Sequence, residues 1–222
     1  MINILLSGYN FGEEWAKETI KKYISSEDKI VVIPFAFSEA WINSSNEWDN
    51  AYSREYGKYY RELIKPFGEI GVSEDNITWI NFFKDKKEDM KKAIDESDVV
   101  FFTGGLPDRA VERVLDKGLL NYISKAKIVM GASAGALMQL KDYHISPDED
   151  YSEFSYQSGL GLIKSNFYIE VHYEDTEVQY SCIKKVLKEK TDTVYAIKEQ
   201  GGIILDDDKL ILLGDVTTYQ NN

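Results

Sequence analysis

The feature that most constrains the fold of this chain is a regular alternation of short apolar runs with longer amphipathic segments. The apolar runs are rich in β-branched residues and continuous, which is typical of strands buried on both faces of a sheet. The segments between them repeat apolar residues every three to four positions, as helices do. The alternation predicts an α/β fold with a doubly wound, mostly parallel sheet and helices on both of its faces.

The predicted elements follow one another along the whole chain. Strands are predicted at 3–6, 29–35, 77–82, 98–103, 127–132, 167–173, 193–197, 203–205 and 210–213, with an Asp206-Asp207-Asp208 turn joining the last two. Helices are predicted at 13–24, 47–64, 86–96, 108–123 and 176–188, with a short one just after residue 133. No repeat or linker interrupts them, and 222 residues with 43% hydrophobic content suffice for one core. We therefore expect a single α/β domain over residues 1–222.

Charge and cysteine content exclude several classes of function. The 26 basic and 38 acidic residues give a net charge of -12, which repels nucleic acid and anionic membrane surfaces. Cys182 is the one cysteine, so neither an internal disulfide nor a zinc site is predicted. The apolar run at residues 1–8 is too short for a signal peptide core and lacks a basic flank. We therefore expect a cytoplasmic protein without a metal or other cofactor.

The first candidate for chemistry is Ser133, in Gly131-Ala132-Ser133-Ala134-Gly135. This is the G-x-S-x-G pattern between a predicted strand and a helical segment, the context in which the pattern forms a nucleophile elbow. Glycines beside the serine let such a sharp turn close against the neighbouring strands. The alternative is a tight turn in which the serine only caps the helix.

A second glycine-rich strand end precedes the first. Gly104 and Gly105 follow the predicted strand at 98–103, and both strand ends lie at the edge of a parallel sheet where ligands bind. The amides of Gly105 and Ala134 are candidates for an oxyanion hole. The alternative is a loop that merely leads into a helix begun by Pro107.

The chain offers two histidines as a general base. His172 lies near the end of the predicted strand at 167–173, so we expect it at the same edge of the sheet as Ser133. A helix continued beyond Ser133 would carry His144 about 15 Å away, and we expect His144 in a loop. The carboxylate that orients the histidine is Glu199, after the predicted strand at 193–197, or one of the neighbouring Glu170 and Glu174. The spacing does not decide between them.

These residues together resemble the dipeptidase E and cyanophycinase family of serine peptidases, peptidase family S51. The resemblance rests on Gly104-Gly105, the Gly131–Gly135 motif, Val171-His172-Tyr173 and Ala196-Ile197-Lys198-Glu199. It implies a class I glutamine amidotransferase-like fold, a Ser133, His172 and Glu199 triad, and an oxyanion hole from Gly105 and Ala134. It also implies hydrolysis of short peptides without a metal.

A preference for an N-terminal aspartate, in contrast, would need a cationic pocket near these residues. All four arginines of the chain lie in predicted helices with no evident reach to the site. They are Arg54, Arg61, Arg109 and Arg113. Aspartyl specificity is therefore not part of the expectation.

Three other segments bear on the surroundings of the site. Trp41 follows the second predicted strand and forms either a wall for a bound peptide or a packed aromatic. The stripe of Trp48, Tyr52, Tyr56, Tyr59 and Tyr60 is typical of a core or of a homodimer interface. The acidic segment 142–153 is long and polar, and is expected to be a solvated loop or a lid.

The leading hypothesis from the sequence is a serine peptidase that acts on small peptides. Because the same three groups attack any activated carbonyl, an esterase or amidase with non-peptide substrates is the alternative within enzymes. A catalytically silent member that binds a peptide or metabolite is the alternative outside them.

Overall fold

The computed structural model describes residues 1–164, 166–207 and 209–221, and an eight-stranded sheet lies at its centre. The strands along the chain are β1 (Ile2–Leu6), β2 (Ile30–Ile33), β3 (Ile77–Trp79), β4 (Val99–Phe102), β5 (Ile128–Ala132), β6 (Asp142–Ile145), β7 (Ser155–Ser158), β8 (Tyr168–Glu170), β9 (Thr193–Asp206) and β10 (Lys209–Gln220). The order across the large sheet is β10-β9-β1-β5-β4-β2-β3, and β8 also pairs with β9. Strands β6 and β7 form a separate antiparallel pair.

The large sheet is mostly parallel, as predicted. Strands β1 to β5 pair in parallel with one another, and β8 runs parallel to β9. The antiparallel pairings are those of β9 with β1 and with β10. The carboxyl ends of β1, β4 and β5 therefore lie at one edge, which is where a ligand site is expected. Strand β8 runs antiparallel to these three, but its carboxyl end points along β9 toward the carboxyl end of β1.

Helices cover both faces of this sheet. Within the described residues they are α1 (Lys17–Ile20), α2 (Ser45–Tyr52), α3 (Tyr60–Glu69), α4 (Lys87–Asp95), α5 (Pro107–Asp116), α6 (Leu120–Ile123), α7 (Ala134–Leu137) and α8 (Glu177–Glu189), with a 3-10 helix at Glu74–Asn76. Successive residues of β4 point to opposite faces, so Phe101 packs with α1, α2 and α3 while Phe102 packs with α4, α5 and α6. The prediction of an α/β fold is confirmed. None of the helices in the described ranges is long and apolar enough to cross a membrane.

Three helix predictions were too long or too continuous. The segment 47–64 holds two helices, α2 and α3, because the chain turns between them at Gly57, where a Cβ would meet the backbone of Ser53. The segment 108–123 is likewise divided into α5 and α6 at Gly118, which has φ of +64°. The segment 13–24 is mainly turns, and only α1 within it is α-helical. Helical apolar spacing extends across these breaks, so periodicity alone did not reveal them.

Two strand predictions were also wrong. Residues 193–197 and 203–205 belong to the one long strand β9, which pairs with β10 on both sides of an irregularity that leaves residues 198–200 opposite Asp215. The acidic segment 142–153 begins with β6 rather than forming a loop throughout, because β7 pairs with it. Asp208, in the turn predicted at 206–208, lies outside the described residues.

Gly135 and Gly68 provide a matched test of this packing, because both are helical glycines. A Cβ on Gly135 would collide with the carbonyl oxygen of Phe102, whereas one on Gly68 meets nothing within 4 Å. We expect Gly135→Ala to lower the free energy of unfolding by about 1–3 kcal/mol, and Gly68→Ala to raise it by about 0.5–1 kcal/mol. Urea unfolding followed by circular dichroism measures both. Equal effects of the two substitutions would contradict the packing described.

Candidate active site

Ser133 occupies a strained turn between β5 and α7. Its backbone angles are φ 53° and ψ -116°, a conformation that a residue with a side chain rarely adopts. The Ser133 N–H donates to the carbonyl oxygen of Leu6 at 2.9 Å, which ties the turn to the end of β1. The elbow geometry expected from the sequence is therefore present, and the Ser133 side chain does not cap α7.

The two glycines of the motif are required by close backbone contacts. A Cβ on Gly131 would meet the carbonyl of Gly135, and one on Gly135 would meet that of Phe102. Beneath the turn, the fully buried Gln139 donates to the carbonyl oxygen of Gly135 at 3.0 Å and accepts from the Asn3 amide at 3.0 Å. Sequence reasoning missed Gln139. Its buried amide anchors the short helix α7 to β1 through hydrogen bonds, which an apolar side chain at this position could not form.

Two backbone amides beside Ser133 have no hydrogen-bond partner among the described residues, those of Gly105 and Ala134. Gly105 has φ of +125°, and a Cβ there would collide with the Ala36 carbonyl. The amide of Gly104 is already occupied, because it donates to the Tyr9 hydroxyl at 2.5 Å. Burial raises the pKa of Tyr9 above its usual value, against the opposing effect of this bond, so its hydroxyl stays protonated. Gly105 and Ala134 both line the cleft that contains Ser133.

His172 lies two residues beyond the end of β8, in a left-handed conformation with φ of 51°. Its N–H donates to Ser7 Oγ at 2.6 Å, and its carbonyl oxygen accepts from Gln179 Nε2 at 2.9 Å. Ser7 directly follows β1, so this bond joins the ends of two strands that do not pair with each other. Neither contact was anticipated from the sequence. Together they hold the His172 backbone from both sides.

Glu199 contacts the His172 ring, with Nδ1 and Oε2 3.0 Å apart. Glu199 lies within β9, and not at a strand end as predicted. On one side of it β9 pairs with β8 up to Ala196, and on the other side with β1 from Gly202. Glu199 therefore faces the gap between the carboxyl ends of these two strands. Gly8 makes room for it, because a Cβ on Gly8 would overlap the Glu199 carboxylate.

Ser133 and His172 line the same cleft, of about 350 Å³. In the described part of the chain no hydrogen bond joins the Ser133 hydroxyl to the imidazole of His172. The His172 side chain is 51% exposed, so the imidazole is accessible from the cleft. The structure thus brings together a strained serine, a histidine with a carboxylate on its Nδ1, and two unoccupied amides. This arrangement is suited to nucleophilic attack on a carbonyl.

The two rival carboxylates are placed differently. Glu170 is buried and accepts from His144 Nε2 at 2.6 Å, and the backbone N–H of Glu174 donates to Gln179. Neither carboxylate contacts the His172 ring in the described structure. The expectation for His144 was wrong: it lies on β6, is buried and lines the cleft. The chain turns back after α7, so the distance along a continued helix did not apply.

The comparison with protein families decides the affiliation of the chain. The profile of peptidase family S51 matches residues 4–213, which is nearly the whole chain. The chain belongs to peptidase family S51. The resemblance noted in the sequence is therefore confirmed, and this membership supports a peptidase function.

Solved structures show the same fold. A crystal structure of a proposed peptidase E protein from Listeria monocytogenes EGD-e matches with a TM-score of 0.64 and 17% identity, over 95% of this chain and 96% of that one. A peptidase from an acI-B1 Actinobacterium matches with a TM-score of 0.65 and 17% identity, over 96% of this chain and 87% of that one. A comparison with curated proteins gave no match.

A second cleft, of about 530 Å³, adjoins the first at Gly105. Trp41 lines it and is 80% exposed, which excludes the alternative of a packed aromatic. Tyr52 and Tyr59 of the aromatic stripe also line this cleft, whereas Trp48 is buried in the core. This family S51 chain therefore has an aromatic-walled space beside the unoccupied amide of Gly105.

No arginine of the described chain lines either cleft. Arg113 is buried on α5, where it donates to the carbonyl oxygens of Phe35 and Phe37, and Arg54 lies in the turn after α2 rather than in a helix. The described ranges also contain no group of three or more side chains placed to bind a metal ion.

The space made by Gly8 leads to a test of the contact between His172 and Glu199. In the wild type the Glu199 carboxylate favours the His172 tautomer with its proton on Nδ1. We expect Gly8→Ala to displace Glu199 and so to abolish this preference, and Glu199→Gln to weaken it. Two-bond ¹H–¹⁵N correlation spectra report the tautomer, and the two histidines can be assigned individually. Gly68→Ala is the control. An unchanged His172 tautomer in both variants would contradict the geometry.

Proposed function

We propose that this family S51 member is a serine peptidase that hydrolyses short peptides through an acyl-enzyme on Ser133. The observation that carries the proposal is the contact between His172 Nδ1 and Glu199 at the cleft that contains the Ser133 elbow. A carboxylate on Nδ1 holds the proton there and leaves Nε2 as the basic nitrogen. His172 is then the general base and Glu199 orients it.

In the first half of the reaction, the Ser133 hydroxyl attacks the substrate carbonyl and His172 Nε2 takes its proton. The carbonyl oxygen becomes an anion, and the amides of Gly105 and Ala134 donate to it. Glu199 stabilises the imidazolium that forms. The imidazolium then gives its proton to the leaving amine, the C–N bond breaks, and the acyl group remains on Ser133.

In the second half, water replaces the amine. His172 accepts a proton from water, the resulting hydroxide attacks the acyl carbon, and the same two amides stabilise the anion. Collapse breaks the bond to Ser133, which recovers its proton from His172. No group outside the chain is needed for the balance of protons.

The short length of the substrate follows from the walls of the cleft. Residues 146–154 connect β6 to β7, and Tyr151 in this segment donates to the Asp108 carboxylate at 2.5 Å at the start of α5. Burial raises the pKa of Tyr151, so this donor stays protonated. Segment 146–154 thus forms one wall of the cleft of about 350 Å³, and the Tyr151 hydrogen bond fixes the middle of this segment. A volume of this size accommodates a few residues rather than a folded chain.

Reaction with a fluorophosphonate tests the nucleophile. We expect one phosphonyl group per chain, mapped to Ser133 by tandem mass spectrometry, since an activated serine attacks such reagents. Ser133→Ala should abolish both labelling and peptide hydrolysis, with a loss of roughly 10⁴-fold or more. Ser97→Ala is the matched control, because Ser97 lies after α4, away from the cleft, and its hydroxyl donates to the Ile94 carbonyl oxygen.

Three outcomes would change the proposal. Unchanged hydrolysis of a peptide panel by Ser133→Ala would overturn it. Labelling with turnover of esters but of no peptide would favour the esterase or amidase alternative. Absence of labelling with saturable ligand binding would favour a silent binding protein.

A further inference from the structure

The charged side chains of the Ser133 cleft are nearly all acidic. Its walls include Asp148, Glu170 and Glu174, and no lysine or arginine among the described residues lines it. Glu199 adds a fourth carboxylate beside His172. An uncompensated group of this sign attracts a cation and repels an anion. Exposed carboxylates only steer ligands toward a site, whereas a buried carboxylate that faces the cleft can bind one.

Glu170 is a buried carboxylate of this kind, because its side chain is only 6% exposed and still lines the cleft. Oε2 accepts both of its hydrogen bonds, from His144 Nε2 at 2.6 Å and from Ser146 Oγ at 2.8 Å. The other oxygen, Oε1, has no hydrogen-bond partner among the described residues. A buried carboxylate is costly without compensation, and no lysine or arginine of the described residues forms a salt bridge with it.

His144 orients this carboxylate. The ring packs against Phe154 and Tyr168, and its Nδ1 is buried without a partner in the described structure. A proton on Nδ1 would therefore be a buried donor with no acceptor. The tautomer with its proton on Nε2 avoids this and donates to Glu170 Oε2. Oε1 receives no donor from the ring and remains available to a ligand.

We propose that Glu170 binds a cationic nitrogen of the acyl part of the substrate, either its free α-ammonium group or a lysyl or arginyl side chain. The proposal rests on the proposed function, because it places that cation next to the carbonyl attacked by Ser133. Glu170 ends β8 two residues before His172, and both residues line the same cleft. An aspartyl side chain in the same space would meet a charge of its own sign.

Hydrolysis of a matched peptide panel by the wild-type protein tests this first. Lys-Ala, norleucyl-Ala and Asp-Ala differ in side-chain charge, and N-acetyl-Lys-Ala removes the α-ammonium group. If a side chain supplies the cation, Lys-Ala should exceed norleucyl-Ala in kcat/KM by about tenfold or more. If the α-ammonium supplies it, Lys-Ala and norleucyl-Ala should be similar and acetylation should cause the loss. In either case Asp-Ala should be the poorest of the free dipeptides.

Glu170→Gln should remove whichever preference is found, to within about threefold, because it keeps the hydrogen-bond acceptor and loses the charge. Glu189→Gln removes a charge on α8 whose carboxylate accepts from the Tyr156 hydroxyl and lies outside the cleft lining, and it should keep the preference. Thermal unfolding and fluorophosphonate labelling confirm that the variants fold. A wild-type preference for Asp-Ala would overturn the assignment, as would a cation preference unaffected by Glu170→Gln.

Binding to Ser133→Ala separates this proposal from the proposed function. Calorimetry with lysinamide, norleucinamide and their N-acetyl forms needs no turnover. Preferential binding of the cationic amide with no peptide hydrolysis by the wild type would retain the Glu170 site and reject the peptidase. Peptide hydrolysis without any cation preference, in kinetics or in binding, would retain the proposed peptidase function and reject the Glu170 site.

Discussion

The site depends on one constraint, the position of Glu199 in the long strand β9. This strand pairs with β8 over its first part and with β1 over its last part, and Glu199 lies between the two pairings. The carboxyl ends of β1 and β8 therefore converge on its carboxylate. Ser7, at the end of β1, then bonds the His172 backbone beyond the end of β8. One continuous strand thus fixes the Glu199 carboxylate, and both neighbouring strand ends fix His172.

Small residues allow the rest of the chain to approach this point. Gly131 and Gly135 let the elbow press against its own helix and against β4, and Gly8 admits the Glu199 carboxylate. The resulting turn places Ser133 in an unfavourable backbone conformation, which surrounding bonds must maintain. The Ser133 N–H bond to Leu6 and the buried amide of Gln139 supply that support. Rigidity in this region is therefore built from backbone contacts more than from large side chains.

The sequence was sufficient for the fold class and for the sharp turn at Ser133, because continuous apolar runs and G-x-S-x-G each have a direct physical cause. It could not locate Glu199 correctly, since the polar centre of β9 has the composition of a loop and lies within a strand only because the residues on both sides of it pair with β10. His144 was missed for a related reason: β6 returns to the cleft through pairing with β7. The contacts of Ser7 and Gly8 join segments more than a hundred residues apart, and local sequence carries no signal of them.

The convergence of serine, histidine and two amides at one cleft is tested most directly by a crystal structure of the protein phosphonylated at Ser133. The account predicts a phosphonyl oxygen about 2.7–3.1 Å from the amide nitrogens of both Gly105 and Ala134. It also predicts His172 Nε2 within about 3.2 Å of Ser133 Oγ, with Nδ1 still on Glu199. An adduct whose oxygen meets neither amide, with the imidazole turned away from Ser133, would contradict it.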